Sequence, residues 1–201
     1  MDPEESPGFK RGLSKILTVF ATFTFVGMLL VLFVPHSGDV AVAKVQISPT
    51  TSIISGAKEL GTPFYVASLF LSNLVVCIVV AWTPRVLKSR RWGSLVVYII
   101  VALQSLTIGG LFGVLSTRFN PLFAVATLFP HGLFEVPGYL LAATIGITFA
   151  GEWDEFVIGG PTGKDFFRLF VRTIIPLLLL GAIVEIFITP VLMLQALQIL
   201  R

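Results

Sequence analysis

From Ile16 to Val34 the chain runs for nineteen residues without a charged group. Four more apolar stretches follow: Phe64 to Trp82, Ser94 to Leu115, Pro121 to Ala150, and one between Phe166 and Leu200. A helix needs about 20 apolar residues to cross the hydrocarbon of a bilayer, so runs of this length fix the solvent. Composition agrees. The chain is 55% hydrophobic and 12% charged, against about 25% charge in a soluble domain. The period-two alternation of a membrane β-barrel is absent. The expected fold class is therefore all-α, a polytopic membrane helical bundle.

Residues 1–15 are polar and form an N-terminal segment. Residues 16–201 read as one membrane domain, with spans near 16–34, 64–82, 94–115, 133–150 and 173–194 and a polar loop at 36–61. The first run has a basic flank, and Ala41-Val42-Ala43 is similar to a signal-peptide cleavage site. The run is longer than the usual h-region of about 7–15 residues, and the Ala-x-Ala lies well beyond it, so we read an uncleaved anchor. In the loop, "VAVAKVQIS" alternates as a short strand would. Cys77 is the single cysteine, which rules out an intramolecular disulfide.

The basic residues set an orientation. With the N-terminus inside, Lys10, Arg11, Lys15, Arg85, Lys88, Arg90, Arg91, Lys164, Arg168 and Arg172 are cytoplasmic. Lys44, Lys58, Arg118 and Arg201 are then outside, a clear positive-inside bias. The chain is expected in the cell membrane as a multi-pass protein, N-terminus cytoplasmic and C-terminus outside. The net charge of +3 follows this topology and gives no nucleic-acid signature.

The run from Pro121 to Ala150 is thirty residues long. At about 1.5 Å per residue a straight helix of that length spans about 45 Å, beyond a hydrocarbon core of about 30 Å. It also contains Pro130 and Pro137, each of which removes a helix donor and crowds the preceding turn. We expect a half-helix from Pro121 to Phe129, re-entrant or interfacial, a break at Pro130-His131-Gly132, and then the fourth span. The later "GGPTGKD" fails as a phosphate loop, because Ile158 stands at the first glycine position and Asp165 follows the lysine.

Charged groups at the centre of a membrane helix cost about 2.5–3.5 kcal/mol on insertion scales, so those present need a reason. Glu135 and Glu185 both fall in the outer half by depth, and Asn73, Gln104, Ser105 and Thr107 fall near mid-span. His131 and Glu135 share a helix face at i, i+4 spacing. Such a pair can fix a tautomer, relay a proton, hold a metal, or satisfy backbone groups freed by the prolines. A zinc hydrolase needs three protein ligands and an open position. Of the two histidines, His36 could approach His131, with Glu135 or Glu185 as third ligand, but no spacing demands it, and no metal or other cofactor is expected. No nucleophile motif occurs, so no catalytic residue is assigned. The glycines of the third span, Gly109, Gly110 and Gly113, admit close helix packing. Ile188-Thr189-Pro190 is expected to kink the last helix, its threonine bonding a freed carbonyl.

"LFPHGLFEVPGYLLAATIG" resembles the signature of the stage II sporulation protein M family, small membrane proteins of bacteria and archaea. "LFLSNLVV" resembles the asparagine-bearing helix of that family, with Ser72 where the family often has a second asparagine. "AIVEIFITP" resembles its last helix. The resemblance runs from the second span onward and carries Asn73, His131, Gly132, Glu135, Pro137, Glu185, Thr189 and Pro190 as motif positions, with Pro130 beside them. It implies a membrane protein without established catalytic activity, whose sporulation member works with peptidoglycan-degrading partners.

Three functions fit. The first is a non-enzymatic scaffold that recruits other envelope or membrane proteins. The second is a transporter or channel-like protein for a small solute or lipid, built on the His/Glu/Asn cluster and needing a homo-oligomer or partner to complete a pathway. The third is an intramembrane metal-dependent hydrolase. Bilayer lipid is the common partner of all three.

Overall fold

The computed structural model describes residues 7–34, 61–87, 89–149 and 167–199, and every regular element among them is a helix. In chain order these are α1 Pro7–Phe33, α2 Thr62–Val86, α3 Arg90–Arg118, α4 Pro121–Phe149, α5 Phe167–Phe187 and α6 Thr189–Ile199. A π-turn, Phe170–Ile174, interrupts α5. The loop at 36–60, with His36 and the expected strand, and the "GGPTGKD" stretch lie outside the described residues.

Local sequence sets the helix ends. Gly61, at φ 108°, occupies a backbone region that L side chains rarely adopt, and it opens α2 ahead of Pro63. Ser89 Oγ accepts from the backbone N–H of Trp92 at 3.4 Å and opens α3. Asn120 Oδ1 accepts from the N–H of Phe123 at 2.6 Å, with Pro121 at the first position of α4. The chain breaks at Ile188 between α5 and α6, where Pro190 lacks a donor; Thr189 Oγ1 donates to the Val184 carbonyl at 3.3 Å.

Four helices, α1, α2, α3 and α5, are long and apolar enough to cross a membrane. The fifth long helix, α4, packs against all the others and forms the axis of the bundle. Outward faces stay apolar: Phe25, Phe33, Leu71, Val75, Leu103 and Phe187 are all exposed, as a lipid-facing surface requires. The core joins Ile16, Cys77, Val80, Val97, Val101, Ala142, Ala143, Ile145, Ile174 and Leu178 from five helices.

Close approaches fix the register. Thr24 of α1 lies so near Gly109 of α3 that a Cβ there would overlap the Thr24 carbonyl, and Gly27 meets the Leu106 carbonyl in the same way. Small residues let two membrane helices pack backbone to backbone, and van der Waals contact then holds them. Further along, Gly113 of α3 meets Met28 and Val31 of α1, so α1 and α3 run parallel. Gly146 of α4 faces Val80 of α2, and Gly93 of α3 faces Pro84.

The break at Pro130-His131-Gly132 does not occur. Residues Pro121–Phe149 form one helix of 29 residues, so no separate half-helix precedes a fourth span. The physical reason is the solvent. A proline inside a helix removes one hydrogen bond, at about 3 kcal/mol or more. Opening the helix in hydrocarbon would strand several more backbone groups, each costing several kcal/mol. Excess length is accommodated by tilt or by helix ends reaching beyond the hydrocarbon. Glu135 accordingly lies at mid-helix, as the fifteenth residue of the 29 in α4.

Candidate functional site

Midway along α4, polar side chains from four helices meet. Asn73 of α2 donates from Nδ2 to Glu135 Oε1 at 2.7 Å. His131, Glu135 and Glu185 each offer a ligand atom, and these three atoms lie within 4.8 Å of one another. His131 Nδ1 stands 3.5 Å from Thr189 Oγ1 of α6. The i, i+4 spacing puts His131 and Glu135 on one face of α4, and α5 runs antiparallel beside it, which brings Glu185 up to that face.

Glycine makes room for this. A Cβ at Gly181 of α5 would run into Glu135 Cγ and lie 3.2 Å from Oε1. The carboxylate of Glu135 thus occupies space that only a glycine leaves open. Gly138 similarly faces Leu178, where a Cβ would come within 3.2 Å of a methyl group. Gly132 differs: a Cβ there would meet nothing within 4 Å, so the surface beside His131 is open.

A cavity of about 80 Å³ adjoins Glu135, with Asn73, Gln104 and Tyr139 as its other polar lining and Cys77 and Leu178 among its apolar walls. Tyr139 Oη is buried without a hydrogen-bond partner among the described residues. His131, Glu135 and Tyr139 recur every fourth residue, so they form one polar stripe of α4, rising about 6 Å per step. Beyond Tyr139 the helix is buried all round, from Ala142 to Ile147. The polar stripe ends there.

The electrostatics are severe. Among the described residues Glu135 and Glu185 are the only carboxylates, and no lysine or arginine pairs with them. Two unit charges within 4.8 Å repel by at least about 3.5 kcal/mol at an effective dielectric constant near 20. The pair needs a counter-charge, either a proton or a bound cation.

The sequence-predicted residues Asn73, His131, Glu135, Glu185 and Thr189 thus come together. Pro130, Gly132 and Pro137 lie within the continuous helix α4, and Pro190 is the second residue of α6. Ser105 and Thr107 do not join the centre; their hydroxyls donate to their own helix, at Val101 and Leu103. His36 lies outside the described residues. Sequence reasoning missed Tyr139 and Gly181. Tyr139 continues the four-residue period of His131 and Glu135, and Gly181 stands one turn before Glu185, so both had a readable signal.

The long apolar helices of the bundle define a polytopic helical membrane protein, with a half-buried polar centre between them. The family model described as Stage II sporulation protein M matches residues 16–190, and the chain belongs to that family. No curated protein and no solved structure matches it.

Proposed function

We propose that this family member is a membrane transport protein for a small cation, with His131, Glu135 and Glu185 as its binding centre and Asn73 orienting Glu135. The observation that carries the reading is the approach of two carboxylates within 4.8 Å, inside a helical bundle, with no lysine or arginine against them among the described residues. A structural knot would be served by neutral amides and hydroxyls. An imidazole nitrogen with two carboxylate oxygens is a donor set for a first-row divalent ion; a shared proton is the other charge that relieves the pair. Open space beside Gly132 supports entry from the end of the bundle where α4 begins. We assign that end to the outside from the positive-inside bias. A cavity of about 80 Å³ accommodates a few waters or a partly hydrated ion. A cavity this small beside Glu135 gives no support to the hydrolase. Release to the other side requires rearrangement of the apolar packing below Tyr139, within one copy or across an oligomer.

One observation supports the scaffold reading as a second choice. Asn73–Glu135, Gly181–Glu135 and His131–Thr189 tie α2, α5 and α6 to α4, so the cluster can also serve as a lock on a surface that recruits envelope proteins. The test is binding and flux with purified protein. In nanodiscs, Co²⁺, Mn²⁺ or Zn²⁺ should bind at one ion per centre by calorimetry, with a Co²⁺ absorption spectrum lost in His131→Ala. In liposomes the same ion, or a proton, should cross. Absence of both metal binding and proton flux, with the Glu135→Gln protein folded, leaves the scaffold.

A further inference from the structure

A second polar cavity, of about 620 Å³, lies at the opposite end of the bundle, where α1 and α3 begin and α4 ends. Three cations line it: Arg11 and Lys15, one turn apart on α1, and Arg91 at the start of α3. Ser94 and Tyr98 continue the same face of α3 at steps of three and four residues. Thr148 closes the cavity from α4, and its Oγ1 is buried without a hydrogen-bond partner among the described residues. Gly12 faces that hydroxyl; a Cβ there would come to 2.8 Å from Thr148 Oγ1.

The positive-inside tendency accounts for basic residues at this end of the bundle. It does not account for their convergence on one cavity. Lys10 neighbours Arg11 in sequence and is exposed, as Arg11, Lys15 and Arg91 are, but takes no part in the lining. Among the described residues no carboxylate offsets these three charges. Neither α1 nor α3 has an acidic residue in its first turn, where the helix dipole disfavours cations and favours anions. The described carboxylates, Glu135 and Glu185, are both at the other site.

We propose that this cavity binds a phosphate group, presented either by an anionic lipid headgroup or by a free phosphate. Two guanidinium groups offer planar paired donors suited to phosphate oxygens, and the ammonium of Lys15 adds a point charge. Hydroxyls of Thr148, Ser94 and Tyr98 supply donors for the remaining oxygens. A flat carboxylate would use fewer of these donors. The cavity lies at the polar edge of the apolar runs, at the depth of a lipid headgroup.

The test uses the full chain in a neutral detergent. Dihexanoyl phosphatidylglycerol, dihexanoyl phosphatidylcholine and inorganic phosphate are titrated separately, with thermal stability and calorimetry as readouts. Saturable binding of phosphatidylglycerol in preference to the other two identifies a lipid; preference for inorganic phosphate identifies a free anion. Arg11→Gln and Arg91→Gln should each weaken binding about tenfold or more, since each removes a charged donor to phosphate. Lys10→Gln removes the same charge from outside the cavity and should leave affinity within about twofold. Thr148→Val should weaken binding severalfold while thermal stability holds or rises, because a buried unpaired hydroxyl is removed. Should an arginine variant fail to fold, Thr148→Val carries the test. The proposal is overturned if none of the three probes saturates, or if Lys10→Gln costs as much as Arg11→Gln. It is also overturned if binding emerges only after Glu152, Asp154, Glu155 and Asp165 are replaced by amides.

Discussion

The contact between Gly181 and Glu135 gives the sharpest test of the centre's geometry. A methyl group at residue 181 would collide with Glu135 Cγ and lie 3.2 Å from Oε1. Glu135 must then move, and its bond from Asn73, 2.7 Å long, lengthens beyond hydrogen-bonding range. Overpacking of this kind costs about 1–3 kcal/mol. Loss of a hydrogen bond to a charged or strongly polar carboxyl adds about 1.5–3 kcal/mol. Replacing a mid-helix glycine with alanine returns about 1 kcal/mol of helix propensity. Gly181→Ala should therefore destabilise the fold by about 1.5–5 kcal/mol net. In a Glu135→Ala background the obstacle is gone, and the same change should be neutral or stabilising by up to about 1 kcal/mol. The double-mutant cycle should then show a coupling of at least about 1.5 kcal/mol, measured by reversible unfolding in bicelles. An equal cost of Gly181→Ala in both backgrounds would refute the claim that Glu135 fills the glycine's space.

Four further outcomes are expected. Glu135→Gln keeps an acceptor for Asn73 and removes one of two repelling carboxylates. Its stability should stay within about 1 kcal/mol of the parent, while cation affinity falls at least about hundredfold in calorimetry. Thr189→Val loses both the Val184 carbonyl bond and the His131 contact and should cost about 1 kcal/mol in bicelle unfolding, the usual net worth of such a bond. Hydrogen exchange should show the amides of Leu128 to Leu141 protected as one continuous helix; fast exchange confined to His131–Leu133 would restore the broken helix. Gly109→Ala should push α1 from α3 and lower stability by about 1–3 kcal/mol, read by thermal unfolding, because its Cβ would overlap the Thr24 carbonyl.

The membrane class, the long apolar helices and the family could be read from the chain alone, because hydrocarbon imposes one rule: every backbone group must be satisfied within the segment. Thr189-Pro190 likewise announces a break through a short-range bond. The continuity of α4 could not be read so directly. Counting residues against bilayer thickness weighs length and two prolines. Helix integrity weighs the stranded donors and acceptors that a break would create, and that comparison favoured one helix of 29 residues.

The centre divides along the same line. Residue type and depth were enough to single out Asn73, His131, Glu135 and Glu185, since a charge in a membrane helix is costly wherever it points. Rotation about each helix axis was invisible, because it is set by which small residue lets which neighbour approach. Gly181 opening beside Glu135, Gly146 against Val80, and Gly12 under Thr148 are contacts between residues far apart in the chain. They turn two carboxylates toward each other and three cations into one cavity. Sequence determined that this protein lives in a bilayer with ionisable groups inside it; only tertiary packing decided that those groups would meet.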